Sequence, residues 1–137
     1  MKKYKRLVCL GLILAFFSTA SYGLEVEAMD NQLNFVSIIT FENTFQISDS
    51  GQASVTCFLF ARNVNKVKII ADLQQYKDGE WKTIKSWSGS EDDTSCLVGG
   101  KWYIASGNTY RMVSYGYTYK DDEFVESTIY ISESKEY

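Results

Sequence analysis

The sequence predicts an all-β protein, an antiparallel immunoglobulin-like β-sandwich of about seven strands over residues 35–137. Three observations predict it. From residue 35 onward apolar and polar residues alternate at the two-residue period of strands, and no stretch sustains the helical period. Turn signals recur at short intervals: Ser48-Asp49-Ser50-Gly51, Asn63-Val64-Asn65, Asp78-Gly79, Ser106-Gly107-Asn108 and Lys120-Asp121-Asp122-Glu123. Finally, Gly107-Asn108-Thr109-Tyr110 places a tyrosine at the start of the penultimate strand. In this fold such a tyrosine ties its strand to the preceding loop through its hydroxyl.

The elements follow in order. Phe35–Ile47 gives a first strand or two, ended by the serine-rich turn. Ala53–Ala61 is next, with Val55, Cys57 and Leu59 on one side. Val67–Tyr76 sets Val67, Ile69, Ala71 and Leu73 against Lys68, Ile70, Asp72 and Gln74. Asp78-Gly79 is the strongest hairpin dipeptide in the chain. Trp81–Ser88 returns, and Gly89–Asp93 reads as a polar loop. Ser95–Val98 and Trp102–Ile104 form the next element, interrupted by Gly99-Gly100. Tyr110–Tyr119 is a long strand, Phe124–Ser132 is the last, and the tail is expected to fray.

Counting back from a two-residue Asp78-Gly79 turn opposes Tyr76 to Trp81, Gln74 to Thr83, Leu73 to Ile84, Asp72 to Lys85 and Ile70 to Trp87. Directly opposed residues share a face. Ile84 then joins Leu73 in the core, and Trp81 and Trp87 point away from it with Tyr76. If Tyr110 and Met112 face the core, Tyr115, Tyr117 and Tyr119 join the tryptophan face, and Phe124 and Tyr130 extend it. Two readings of these aromatics stand. They complete a core and a hairpin ladder, or they form an exposed patch of the kind that marks contact sites. A single bulge in either strand would turn the rings inward.

The first residues precede the domain. Lys2, Lys3, Lys5 and Arg6 lead into the apolar run Leu7–Phe17, too short to span a bilayer, and Ser18-Thr19-Ala20 supplies a small-residue cleavage site. Residues 1–20 thus read as a secretory signal peptide and 21–34 as a flexible leader. Cleavage after Gly23 or Ala28 also satisfies the pattern. Cys9 lies inside the apolar run, not at its end, so a lipoprotein is not expected. The signal takes four of the 14 basic residues and none of the 17 acidic ones, leaving 10 against 17, a balance of −7. Such a chain lacks the basic footprint of nucleic-acid binding and is poorly suited to anionic membranes.

Cys57 and Cys96 remain after export, and two cysteines in an exported domain most often pair. Met112 stands where the second cysteine of an immunoglobulin pair belongs, so a Cys57–Cys96 bridge would join two strands of one sheet. It would contribute roughly 3–4 kcal/mol by constraining the unfolded chain.

The stretch Lys66-Val67-Lys68-Ile69, Leu73-Gln74-Gln75-Tyr76-Lys77, Gly79, Trp81-Lys82, Ile84 and Ser86-Trp87, followed by Gly107-Asn108-Thr109-Tyr110-Arg111 and Glu126-Ser127-Thr128, resembles a family of small secreted proteins of Firmicutes. The resemblance covers most of residues 51–132. It implies export from a Gram-positive cell and a small β-sandwich, and it brings no activity and no catalytic residues.

The chain has no histidine, so Ser-His-Asp and Cys-His catalysis is excluded, and two thiolates alone do not complete a zinc shell. Glu91, Asp92, Asp93 and Asp121, Asp122, Glu123 sit in turns without the spacing of a calcium loop. No cofactor and no catalysis are expected. The leading expectation is a secreted binding or adhesion module that contacts protein or glycan at the cell surface through Tyr76, Trp81, Trp87, Tyr115, Tyr117 and Tyr119. Sugar stacking on Trp81, Trp87 and Tyr115 is a second expectation. Pairing of two copies through the same face is a third.

Overall fold

The structure is a computed structural model that describes residues 35–137; the expected signal peptide and leader lie outside the described residues. Its strands are β1 (Ile38–Ile47), β2 (Gln52–Ala61), β3 (Lys66–Lys77), β4 (Glu80–Glu91), β5 (Ser95–Tyr103), β6 (Thr109–Lys120), β7 (Glu123–Ile131) and a short β8 (Lys135–Glu136). They build two antiparallel sheets. The smaller runs β1-β2-β5; the larger runs β4-β3-β6-β7, with β8 also paired to β6. This is an immunoglobulin-like sandwich. Here β1, β2 and β5 take the places of strands A, B and E, and β3, β6 and β7 those of C, F and G. β4 hydrogen-bonds to β3 rather than to the smaller sheet.

The core lies between the sheets and follows the alternation. Val55, Cys57 and Leu59 of β2 face Val67, Ile69, Ala71 and Leu73 of β3 and Tyr110 and Met112 of β6, all buried. Tyr110 donates its hydroxyl to the carbonyl of Ala105 at 2.7 Å, which anchors the start of β6 to the loop before it. Met112 occupies the inter-sheet position facing Cys57, with Sγ and Sδ 3.9 Å apart.

Asp78 and Gly79 both adopt positive φ (56° and 82°), the conformation of a type I′ hairpin turn. Asp121 and Asp122 make the same kind of turn without glycine. Asn65 holds it, accepting from the Asp121 N–H at 2.9 Å and donating to the Asp121 carboxylate at 2.9 Å.

Four expectations are corrected. First, β4 pairs with β3 as counted only as far as Gln74–Thr83. A bulge then inserts Ile84, and Leu73 faces Lys85, Asp72 faces Ser86, Ala71 faces Trp87 and Ile70 faces Ser88. Ile84 is therefore exposed rather than core, and Trp87 turns inward against the core cluster.

Second, β4 continues through Glu91, and β5 runs unbroken across Gly99-Gly100. Gly100 is required there because the Trp87 indole lies on it; a Cβ would fall 2.1 Å from Trp87 Nε1. Third, the tail does not fray. β8 pairs with Thr109 and Tyr110, and the Tyr137 ring packs on Gly51.

Fourth, Cys57 and Cys96 are free, buried thiols and not a disulfide. They do lie on adjacent strands of one sheet. However, Cys57 pairs with Val98 and Cys96 with Leu59, so the two are diagonal neighbours. Diagonal positions are about 7–8 Å apart, longer than the roughly 4.4–6.8 Å that a disulfide spans between Cα atoms.

Candidate functional site: the outer face of the larger sheet

Alternation along β3 and β6 decides what the outer face presents. With Val67, Ile69, Ala71 and Leu73 turned in, Lys68, Ile70, Asp72, Gln74 and Tyr76 must turn out. The pairing of β3 with β6 adds Thr109 beside Tyr76, Arg111 beside Gln74, Val113 beside Asp72, Tyr115 beside Ile70, Tyr117 beside Lys68 and Tyr119 beside Lys66. β7 then places Ile131 beside Val113, Ile129 beside Tyr115, Ser127 beside Tyr117 and Phe124 beside Tyr119.

The face is divided. Its β4 side is a row of small hydroxyls, Ser86, Ser88 and Ser90, all exposed. Its β6–β7 side is aromatic and aliphatic. Tyr115, Tyr117 and Tyr119 are half-buried, while Ile129, Ile131 and Phe124 are 56%, 52% and 59% exposed. Tyr115, Tyr117, Ser127, Thr128 and Ile129 line a shallow groove along this half. Tyr119 and Phe124 meet edge to face, with centroids 6.1 Å apart.

Tyr76 and Trp81 form a separate corner. Their rings are 5.2 Å apart and tilted. The Arg111 guanidinium lies 4.2 Å from the Trp81 ring centroid, and Arg111 Nε donates to Gln74 Oε1 at 2.9 Å. The guanidinium thus covers one side of the indole by a cation–π contact.

Of the six aromatics expected to share a surface, the structure brings together Tyr76, Trp81, Tyr115, Tyr117 and Tyr119 and removes Trp87. Tyr130 is removed as well. A bulge at Val125 shifts the β6–β7 register, so Tyr130 pairs with Ser114 on the inward-facing side of β7, whereas Phe124, before the bulge, extends the outer face as expected. Trp87 belongs to a cluster where β4 and β5 approach each other. There the Lys85 ammonium sits 5.9 Å from the Trp87 ring and 4.6 Å from the Trp102 ring. Sequence spacing already put Lys85 and Trp87 on one face but on the outer one; the bulge that turns both toward β5 is invisible in the alternation.

The two acidic turns meet at one end of the sandwich, around Lys66. Its ammonium is 2.7 Å from Asp122 and 3.7 Å from Asp92. The hydrogen bond and charge of Asp122 raise the Lys66 pKa, and Lys66 lowers that of Asp122. The lysine occupies the position where a cation between these carboxylates would sit. Among the described residues no group of three or more carboxylates or thiols is placed to hold a metal ion. Burial pushes both cysteine thiols up, against a smaller opposing effect of a Ser114 hydrogen bond on Cys57. Both therefore stay protonated and unreactive at neutral pH.

One carboxylate is engaged in a way the sequence did not announce. Glu126 of β7 accepts from the backbone N–H groups of Val36 (3.0 Å), Ser37 (2.6 Å) and Ile38 and from the Ser37 hydroxyl. Ser37 Oγ also lies 2.9 Å from Thr118 Oγ1, both residues being buried. This clamp joins the edge of the smaller sheet to the edge of the larger one. Burial alone would raise the Glu126 pKa, but the hydrogen bonds from Ser37, Ile38 and Val36 outweigh it and hold the carboxyl below its ordinary range. The available signal was a lone charge at an inward position of an otherwise uncharged stretch.

No family model matches the chain, and no curated protein matches it.

Proposed function

We propose that the protein is an exported, non-catalytic binding or adhesion module that contacts a protein or glycan at the cell surface through the β6–β7 half of the larger sheet's outer face. The observation that carries this reading is the row Tyr115, Tyr117 and Tyr119 on one face of β6, flanked by exposed Ile129, Ile131 and Phe124 of β7. Contiguous apolar surface of this kind is costly in water and is usually kept for contact. Tyrosine suits such a role because a rigid ring supplies area while its hydroxyl finds a polar partner. The amino-terminal pattern and the likeness to small secreted proteins of Firmicutes support export from a Gram-positive cell. A glycan reading keeps Tyr115 and Tyr117 but loses its expected triad, since Trp87 turns inward and Trp81 stands at the Tyr76 corner of the outer face, away from Tyr115.

The test is binding of the purified, labelled protein to intact Gram-positive cells, to their isolated wall polysaccharide and to their surface-protein fraction. Saturable binding to one of these, lost in the Tyr115→Ser/Tyr117→Ser double variant and kept in Trp102→Ser, is the expected result. Binding that survives the tyrosine changes but disappears with Trp102→Ser would overturn the assignment and move the site to the β4–β5 cluster.

A further inference from the structure

We propose that Arg111 and the rings beside it form a recognition site for a carboxylate-bearing sugar, at the Tyr76–Trp81 corner of the larger sheet's outer face. The site lies apart from the row Tyr115, Tyr117 and Tyr119, so the inference does not rest on the contact surface proposed above.

The guanidinium is fixed before any ligand arrives. Strand pairing sets Arg111 of β6 beside Gln74 of β3, and Gln74 in turn beside Thr83 of β4. Arg111 Nε donates to Gln74 Oε1 at 2.9 Å, and Gln74 Nε2 donates to Thr83 Oγ1 at 3.3 Å. The guanidinium lies 4.2 Å from the Trp81 ring centroid, and the Tyr76 ring backs that indole at 5.2 Å. One amide and one ring thus take the Nε–H and one face of the guanidinium. Its Nη groups make no hydrogen bond and no ion pair among the described residues.

Its neighbours leave the charge uncompensated. A neutral amide stands where a carboxylate would have cancelled it. Asp72, two residues along β3 on the same face, accepts from the Ser86 hydroxyl at 2.6 Å. Glu136 stands beside Thr109 and forms no ion pair with Arg111. The other described basic residues differ. Lys66 and Lys82 pair with aspartates. Lys85 and Lys135 lie over rings, but an ammonium offers no fork. Arg62, Lys68, Lys77, Lys101 and Lys120 are held by neither an ion pair nor a ring. Among the described residues, Arg111 alone is both oriented and uncompensated.

Charge complementarity selects the ligand. A planar guanidinium with an open edge matches a carboxylate through two parallel hydrogen bonds. Tyr76 is 47% exposed beside it, and Thr83 and Thr109 border it with hydroxyls. A sugar acid uses all of these together: its carboxylate meets the fork, its C–H face lies on the Tyr76 ring, and its hydroxyls reach the threonines. An acidic peptide side chain would use the fork alone. The exported chain's balance of 10 basic against 17 acidic residues repels densely charged polymers. The fit is therefore to a single acidic sugar among neutral ones.

The test is an NMR titration of the purified protein, read at the Trp81 indole N–H. The probes are the methyl glycosides of glucuronic, galacturonic and N-acetylneuraminic acids, each set against its methyl ester, which lacks only the charge. The expected result is a saturable shift with at least one acid and none with any ester. Arg111→Gln should abolish the shift. Arg111→Lys, which keeps the charge and loses the fork, should weaken binding about tenfold, the worth of one charge-assisted hydrogen bond. Lys68→Gln on the same face and Trp102→Ser on β5 should leave it intact. A shift that is equal with the esters, that survives Arg111→Gln, or that a glutamate-containing peptide matches would overturn the inference. So would silence with every acid from protein that is folded by circular dichroism. The cell-binding test above reads Tyr115 and Tyr117, so the two proposals can fail separately.

Discussion

Tyr110 shows how much a single hydroxyl does here. Its ring fills the core, and its hydroxyl donates to the Ala105 carbonyl in the loop before β6. Tyr110→Phe keeps the packing and removes the bond. Urea denaturation should show a loss of about 1 kcal/mol with an unchanged slope. Gly100 is the complementary case, a residue whose value lies in having no side chain. The Trp87 ring takes the space a Cβ would fill, which explains why a glycine pair sits inside a strand without ending it.

The bulge at Ile84 is the decisive event at the scale of the element. One extra residue in β4 reverses every side chain after it, so Trp87 goes in while Trp81, before it, stays out. Ile84 and Trp87 thereby exchange the roles that strict alternation assigns them. Ile84→Ser should change stability by less than about 0.5 kcal/mol, as exposed substitutions do. Trp87→Ala should cost about 2–3 kcal/mol, below the range for a fully buried tryptophan because the ring is only partly covered. Equilibrium unfolding of the two variants side by side checks the inversion. Equal costs at both positions would place the bulge elsewhere.

At the scale of the molecule, the clamp on Glu126 joins the edges of the two sheets beside the core residue Ile38. Burial raises the folded-state pKa of Glu126, but the hydrogen bonds from Ser37, Ile38 and Val36 outweigh it and hold the pKa below its value in the unfolded chain. Its contribution to stability is therefore fully present above that unfolded value and is lost as pH falls through the lower folded one. Unfolding free energy should decline below about pH 4.5. Glu126→Gln should lower stability near neutral pH and flatten the acid limb. An acid limb that Glu126→Gln leaves unchanged would assign it to other carboxylates.

Much of the fold was legible because its signals are local. The seven main strands, the Asp78-Gly79 turn, the β2 and β3 core faces and the Tyr110 anchor follow from alternation, turn chemistry and one spaced motif. The aromatic face was legible in part, on the same alternation. Tyr76, Trp81, Tyr115, Tyr117 and Tyr119 turn out together because no irregularity lies between them and the core residues from which they were counted.

What only the tertiary structure decided has a common physical reason. A bulge is selected by packing across the sheets and leaves no mark on composition, so Trp87, Tyr130 and Ile84 changed sides. Cys57 and Cys96 stayed apart because register places them on a diagonal, and sequence separation carries no register. Glu126 found its partners in residues 36–38, at the far end of the domain in sequence. The chain alone determined which residues alternate; the meeting of the two sheets determined which side of each strand is the inside.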